Sequence, residues 1–296
     1  MTATGGSLSE FVDLHTHSTA SDGSRTPADV VREAHRVGLR AIALTDHDTV
    51  DGLREAQDTG RSLGMRVVAG VELSAVEGDG SIETHMLGLH LTDVTTLQQR
   101  LAGLRTMRLT RAARIVQRLN ELGVRITFDD VLEVAAGGAV GRPHIARALV
   151  AHGWATDVRD AFDRYLGNGK AAFVAKEHLA VEDAIAMIHG AGGIAVLAHP
   201  GASGTRARIE ALASHGLDGV EVRHPSHGAE DIARLGALVD HFRLLPSGGS
   251  DWHGAKDGTR VLGMMHVPIS WLYQQDERVA RRARTQGSER ERAEAS

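Results

Sequence analysis

Residues 11–48, FVDLHTHSTASDGSRTPADVVREAHRVGLRAIALTDHD, decide the fold. They contain two short apolar runs, Phe11 to Leu14 and Ala41 to Leu44, with one helical pattern between them. That pattern runs from Ala28 to Val37, with Thr26 as its N-cap, Pro27 in its first turn and Gly38 as its stop. A short apolar run without alternation predicts a strand buried on both faces, the situation of parallel strands covered by helices on either side. Each run ends in groups that can do chemistry, His15-Thr16-His17 after the first and Thr45-Asp46-His47-Asp48 after the second. Carboxyl ends of parallel strands are where such sheets carry their sites.

The same unit recurs outward along the chain. A helix from about Val50 to Ser62 leads to a strand at Arg66 to Ala69, and a helix at Val181 to His189 leads to a strand at Ile194 to Leu197 that ends in Ala198-His199-Pro200. A strand at Gly219 to Val222 ends in Arg223-His224-Pro225, and Leu244 to Ser247 runs into Gly248-Gly249-Ser250-Asp251-Trp252-His253. Between Leu97 and His178 the apolar spacing is helical throughout, with Leu101, Leu104, Met107 and Leu109 followed by Ile115, Val116, Leu119 and Leu122. The expected order is a loose N-terminus over residues 1–10, an α/β part over 11–96, a helical insertion over 97–178, a second α/β part over 179–273 and a charged, disordered tail over 274–296.

Bulk properties exclude several classes. In 296 residues, 42% hydrophobic and 24% charged, no apolar run is long enough to cross a bilayer, and the first ten residues lack the basic and apolar stretches of a leader. The cytoplasm is the expected compartment, with neither membrane nor protein partner required. Zero cysteines exclude disulfides and thiolate metal sites. A net charge of −5 argues against broad binding to long nucleic acid, while leaving room for a local pocket that takes a short anionic substrate.

The 17 histidines carry more. A single histidine at a strand end is usually a hydrogen-bonded loop residue. His15 and His17 are different, because a period of two points both rings to one side if the extended backbone persists through them. Asp22 lies in a Ser-Asp-Gly turn that can fold back toward them, Glu72 and His85 lie at or after the next strand, and His199, Asp251 and His253 end later ones. Gathering so many ionisable groups costs several kcal/mol unless cations neutralise them, so metal binding is the expected explanation. Nitrogen and carboxylate donors without sulfur suit Mn²⁺, Zn²⁺ or Fe²⁺, and the number of groups suits two or three ions better than one. Asp46 and Asp48 are expected to orient His47.

In Asp13-Leu14-His15-Thr16-His17-Ser18, Ser21-Asp22-Gly23, Thr45-Asp46-His47-Asp48, Gly70-Val71-Glu72, Ala198-His199-Pro200 and Ser250-Asp251-Trp252-His253, the chain resembles the PHP (polymerase and histidinol phosphatase) family. The resemblance implies a distorted seven-stranded (β/α) barrel with the helical part inserted. It implies one ion on His15, His17, Glu72 and Asp251, a second on Glu72, His85 and His199, and a third on Asp22, His47 and His253. Asp22 stands where some family members carry histidine. The stand-alone branch that the chain resembles acts on 3′,5′-nucleoside bisphosphates, nucleoside 5′-monophosphates or the 5′ ends of short RNA, and residues 137–147, GGAVGRPHIAR, are similar to that branch's insertion motif.

The expected reaction is phosphate-ester hydrolysis by a metal-bound hydroxide, with His253, His227 or His224 near the leaving group. Arg142 and His144 are candidates for gripping a second phosphate, and Arg223, His224 and His227 for lining the same opening. Lys170 lies in Gly167-Asn168-Gly169-Lys170, which lacks P-loop spacing and reads as a loop, and Glu177 and His178 read as surface. Three competing readings stand beside this one. A histidinol-phosphate phosphatase usually carries histidine at the position of Asp22, and a non-catalytic PHP module would be expected to lose ligands. An amidohydrolase shares the HxH pair but fits the Ser-Asp-Gly and Gly-Val-Glu elements poorly.

Overall fold

The computed structural model describes residues 10–78, 80, 82–135, 140–174, 179–254 and 260–294. The chain divides into two compact units, one made of Met1–Gln98 and Leu179–Ser296, the other of Gln99–His178.

The first unit begins as its sequence dictates. Strand β1 (Phe11–Asp13) leads to helix α1 (Pro27–Arg36), whose N-cap Thr26 accepts the Asp29 amide N–H and whose Pro27 occupies the first turn. Strand β2 (Ala41–Leu44) is buried at every position and pairs in parallel with β1. Helix α2 (Leu53–Leu63) ends on Gly64 in the left-handed conformation and feeds β3 (Arg66–Glu77), parallel to β2.

The regular parallel order then breaks. Strand β3 is 12 residues long rather than stopping at Ala69, and β4 (Ile82–Leu89) returns antiparallel beside it. Only residues 78–81 separate the two, far too few for the crossover that a parallel pair needs. Strand β5 (Ile194–Leu197) is antiparallel to β4, after which β6 (Gly219–Arg223) and β7 (Leu245–Gly248) resume parallel pairing. Helices α7 (Val181–Gly190), α8 (Arg206–Ser214) and α9 (Ala229–Phe242) alternate with these strands.

Among the described residues the sheet has eight strands in the order β7-β6-β5-β4-β3-β2-β1-β8, the last being the two-residue β8 (Val267–Pro268). The barrel closes along a seam between the segments that follow β1 and β7. There the Leu14 N–H donates to Gly248 O (3.1 Å), the Asp251 N–H to His15 O (2.9 Å) and the His17 N–H to Trp252 O (2.9 Å). Val12, Leu14, Ala43, Val68, Leu87, Val196 and Leu245 pack inside as one buried cluster.

The charged C-terminal stretch is not a loose tail. It forms helix α10 (Ile269–Glu294), whose Leu272 enters the barrel's apolar core with Ile269, Trp271 and Val279 packed beside it, and which polar contacts tie down further along. Gln275 is fully buried and donates to Pro246 O, Arg66 forks onto Asp276, and Arg282 donates to the buried Asp218 carboxylate. A composition poor in apolar residues conceals such an attachment, because its anchors are carboxylates and carbonyls on other elements.

The second unit has its own core, in which Ile115, Leu119, Val131, Ile145, Leu149 and Leu166 are buried together. Its elements are most of α3 (Val94–Glu121), then α4 (Phe128–Ala135), α5 (Arg142–Ala151), α6 (Val158–Ala161) and a π-helical turn at Phe162–Leu166. Among the described residues no helix is long and apolar enough to cross a membrane.

Candidate metal centre

The period of two does persist through His15 and His17, because their backbone is gripped from both sides. On one side lies the closing seam; on the other the Thr45 N–H donates to Thr16 O (2.9 Å) and the Thr16 hydroxyl to Ala43 O (2.7 Å). Both imidazoles are fully buried, with their Nε2 atoms 3.1 Å apart. Glu72 Oε2 lies 3.1 Å from His15 Nε2 and 3.2 Å from His17 Nε2, and Asp251 Oδ1 lies 3.4 and 3.1 Å from the same two atoms.

These separations test whether an ion fits. Four donors at about 2.0–2.1 Å from one ion in a tetrahedron stand about 3.3–3.4 Å apart, and the four atoms here are at nearly that spacing. Hydrogen bonding does not account for all of them, since the Nδ1 atoms of His17 and His47 are buried without a hydrogen-bond partner. The donor set is imidazole and carboxylate alone, which suits divalent ions of the Mn²⁺, Fe²⁺ and Zn²⁺ kind.

Glu72 joins this group to the next. Its other oxygen, Oε1, lies 2.9 Å from His85 Nδ1 and 3.1 Å from His199 Nε2, and Oε2 is also 3.3 Å from His47 Nδ1. One carboxylate therefore meets five imidazoles. A third group forms around Asp22, whose Oδ1 is 3.3 Å from His253 Nε2 and 3.7 Å from His17 Nδ1, with Oδ2 3.8 Å from His47 Nε2. Asp22 reaches this point because the Ser21-Asp22-Gly23 turn folds back, with the Gly23 and Ser21 N–H groups both donating to Ser18 O. A Cβ on Gly23 would stand 2.7 Å from His17 O, so this close approach needs glycine. The nine expected ligands thus lie in one connected cluster, and His47 touches both the second and third groups. Asp48, His199 and Asp251 hold left-handed backbone (φ 51°, 29° and 50°), a conformation that costs non-glycine residues energy and concentrates at functional sites.

Electrostatics follow the contacts. Burial opposes a charge on His15, but Glu72 and Glu221 outweigh it and lift its pKa well above the ordinary value. Against the same opposition, Asp251 and Glu72 lift His17 to about 9. His47 goes the other way, to about 4, because burial outweighs Glu72 and the charge on His17 adds to burial. Glu72 and Asp251 are held below the usual carboxylate range despite burial, by the surrounding imidazoles.

The expected substrate residues have varied surroundings. His224 is buried with Nε2 3.4 Å from Asp251 Oδ2, its Nδ1 accepting the Ser226 N–H. His227 donates from Nδ1 to Val222 O and accepts the Gly201 N–H on Nε2, so both nitrogens are engaged inside the fold and it is a poor source of a proton for a leaving group. Arg223 is engaged with other parts of the fold than His224 is. A register shift between Glu221 and Arg223 re-aims it, and its guanidinium donates to His266 O and lies 5.4 Å over the Trp271 ring. In the second unit, Arg142 donates to Leu166 O and Asn168 Oδ1 and stacks on Phe162 and Phe173, while His144 Nδ1 accepts the Gly141 N–H at the start of α5. Residues 137–139 of the insertion motif, and Glu177 and His178, lie outside the described residues. Asp46 and Asp48 accept hydrogen bonds from Ser18 and Ser21, and from Ser74, respectively, which ties the residues on either side of His47 to the loop after β1 and to β3.

Three contributors escaped the sequence reading. Glu221 is fully buried against His15, Arg260 donates to Asp251, and buried Asp13 accepts N–H groups of Ser250 and Gly263. A signal for Glu221 did exist: Gly-Val-Glu occurs at 219–221 as it does at 70–72, a carboxylate in an otherwise apolar buried strand.

A closed sheet with helices around it, and imidazoles and carboxylates converging where the parallel strands end, defines a barrel metallohydrolase. More narrowly, the chain belongs to the PHP domain family, whose pattern matches residues 13–182. It is 36% identical over 253 residues to a 5′-3′ exoribonuclease of Haemophilus influenzae, covering 83% of this chain and 91% of that protein. It is also 36% identical over 259 residues to a 3′,5′-nucleoside bisphosphate phosphatase of Chromobacterium violaceum, covering 85% and 90%. A crystal structure from Bifidobacterium adolescentis assigned as a metal-dependent phosphoesterase superposes with a TM-score of 0.74 at 33% identity, over 89% of this chain and 94% of that one.

Proposed function

We propose that this chain is a divalent-metal-dependent phosphoesterase that removes phosphate from a small phosphorylated nucleotide. The substrate would be a 3′,5′-bisphosphonucleotide, a nucleoside 5′-monophosphate or the 5′ end of a short RNA, and similarity to a 5′-3′ exoribonuclease and to a 3′,5′-nucleoside bisphosphate phosphatase supports a nucleotide class. The carrying observation is Glu72, whose two oxygens are shared among five imidazoles as a bridging ligand requires.

Two or three ions of Mn²⁺, Zn²⁺ or Fe²⁺ would be held by His15, His17, Glu72 and Asp251, by Glu72, His85 and His199, and by Asp22, His47 and His253. When bound, they would supply neutralisation of phosphoryl charge and acidification of water. The protein's own groups do the rest. Burial of His15, His17 and Glu72 keeps the floor of the site dry, which strengthens every charge interaction there. The Nδ1–H of His253 donates to Asp251 O, which leaves the Nε2 lone pair facing the cluster as a ligand of the third ion rather than as a proton donor to the leaving oxygen. Arg142 and His144 are proposed to grip a second phosphate, on the match between a guanidinium fork and phosphate oxygens.

Purified protein with Mn²⁺ is offered AMP, a 3′,5′-bisphosphonucleotide, a 5′-phosphorylated short RNA and histidinol phosphate, and release of phosphate or nucleotide is measured. Preference for histidinol phosphate refutes the nucleotide assignment. Arg142→Ala is expected to slow the bisphosphate more than a simple aryl phosphate; equal losses refute its role.

A further inference from the structure

We propose that Glu221 is a positioning residue that fixes two ligands of the metal centre at once, His15 through its ring and His199 through its backbone. The inference rests on the metal reading above. Glu221 lies on β6, which contributes none of the nine expected ligands, and is fully buried. Its Oε1 stands 3.1 Å from His15 Nδ1, and its Oε2 accepts the His199 N–H at 2.7 Å.

Each contact has a specific consequence. A carboxylate accepts but cannot donate when ionised, so Oε1 requires the proton of His15 on Nδ1 and turns the lone pair of Nε2 toward Glu72 and Asp251. A ring that carries its proton on the other nitrogen cannot bind an ion through Nε2. At His199 the backbone is in the left-handed region, φ 29°, directly before Pro200. Such backbone persists only when its surroundings hold it, and the bond to Glu221 Oε2 is the hydrogen bond its N–H makes. The His15 and His199 rings lie nearly parallel, centroids 5.9 Å apart, each reaching a different oxygen of the Glu72 carboxylate. The single side chain of Glu221 therefore sets the relative placement of two imidazoles that Glu72 is to share between ions.

Free Mn²⁺ is titrated by electron paramagnetic resonance into wild type and Glu221→Gln, with thermal unfolding of each ion-free protein as a check on the fold. Gln keeps the shape but presents one acceptor and one donor where two acceptors are needed. The expected result is a folded variant whose Mn²⁺ affinity is about 10–100-fold weaker. In the Zn²⁺-loaded, ¹⁵N-histidine-labelled protein, the far-downfield Nδ1–H signal of His15 is expected in wild type and shifted upfield in the variant, a change that lost packing alone would not produce. If Glu221→Gln does not fold, Glu221→Asp is measured in the same way; it keeps the charge but is one methylene too short to span both contacts. Wild-type affinity in the folded variant overturns the proposal and leaves the metal centre standing. Failure of wild type itself to bind Mn²⁺ overturns the metal reading, and this proposal with it.

Discussion

Gly249→Ala is expected to damage both the barrel and its metal centre. Gly249 lies on the closing seam, where its N–H donates to Arg223 O at 3.0 Å and its Cα faces β1. A Cβ there would stand 2.4 Å from His15 Cβ, 2.5 Å from His15 N and 2.8 Å from Asp13 Oδ1, against 3.4 Å for ordinary contact. Two of the three obstacles belong to the backbone or Cβ of His15, so no side-chain rotation relieves them, and the seam must open by about 1 Å. Overpacking of this kind costs about 1–3 kcal/mol. The metal consequence is sharper, because metal–ligand distances tolerate errors of only about 0.2 Å. We expect Mn²⁺ affinity to fall by at least the roughly 10–100-fold typical of losing a support behind a ligand. Gly236→Ala is the control: it lies inside α9 with nothing within 4 Å of its added Cβ, and should stabilise by about 0.5–1 kcal/mol. Urea unfolding and Mn²⁺ titration of the two variants decide the matter. Wild-type stability and affinity in Gly249→Ala would refute the claim that the seam sets the ligand geometry.

Ion binding near neutral pH should release protons, since His17, lifted to about 9 in the ion-free cluster, must give up its proton to coordinate. Affinity should accordingly weaken as pH falls below that value, and calorimetric heats identical in buffers of different ionisation enthalpy would contradict this. Asp218 is nearly fully buried and accepts from His189, the Ala195 N–H and Arg282, contacts that outweigh burial and lower its pKa. Asp218→Asn should therefore lose about 1.5–3 kcal/mol at neutral pH, the worth of hydrogen bonds to a charged group, because the half-buried Arg282 loses its ionised acceptor. A lowered carboxylate pKa contributes stability that is complete above the unfolded value of about 4 and disappears as pH falls through the folded one. The gap between wild type and variant in urea should thus close in acid, and a gap of constant size would be the wrong outcome.

How much of this was legible in the sequence depends on where the determining contacts lie. The first two strands, the cap at Thr26 and the histidines after β1 were readable because each depends on neighbours within a few residues. The division near residues 98 and 178 was readable from a change of apolar period. What escaped depends on partners far along the chain. The direction of β4 is set by a short turn between two strands that the apolar pattern alone does not join. Helix α10 has its apolar residues confined to a few positions, Leu272 and Val279 among them, and its polar anchors, Asp218 and Pro246 O, sit in other elements. Arg223 and His227 looked equivalent to His224 in the run Arg223-His224-Pro225-Ser226-His227, yet one bulge turns the first away and two hydrogen bonds occupy the ring of the third.

Glu221 shows why such residues are hard to find. Ligands announce themselves by type, histidine and carboxylate at strand ends, because the ion demands those donors whatever the fold. A group that orients a ligand needs only one acceptor in the right place, so nothing in its own type separates it from any other buried carboxylate held by hydrogen bonds. Asp13 is the instructive contrast. It too is buried in a strand and accepts backbone N–H groups, from Ser250, Gly263 and His15, but its bonds tie the seam together and reach no imidazole of the cluster. Burial has raised its pKa, whereas that of Glu221, buried equally deeply, is lowered by His15 and its neighbours. The two carboxylates differ in what their oxygens meet, backbone N–H groups of the seam for Asp13 and an imidazole for Glu221, and that difference separates a group that closes the barrel from one that aims a ligand ring.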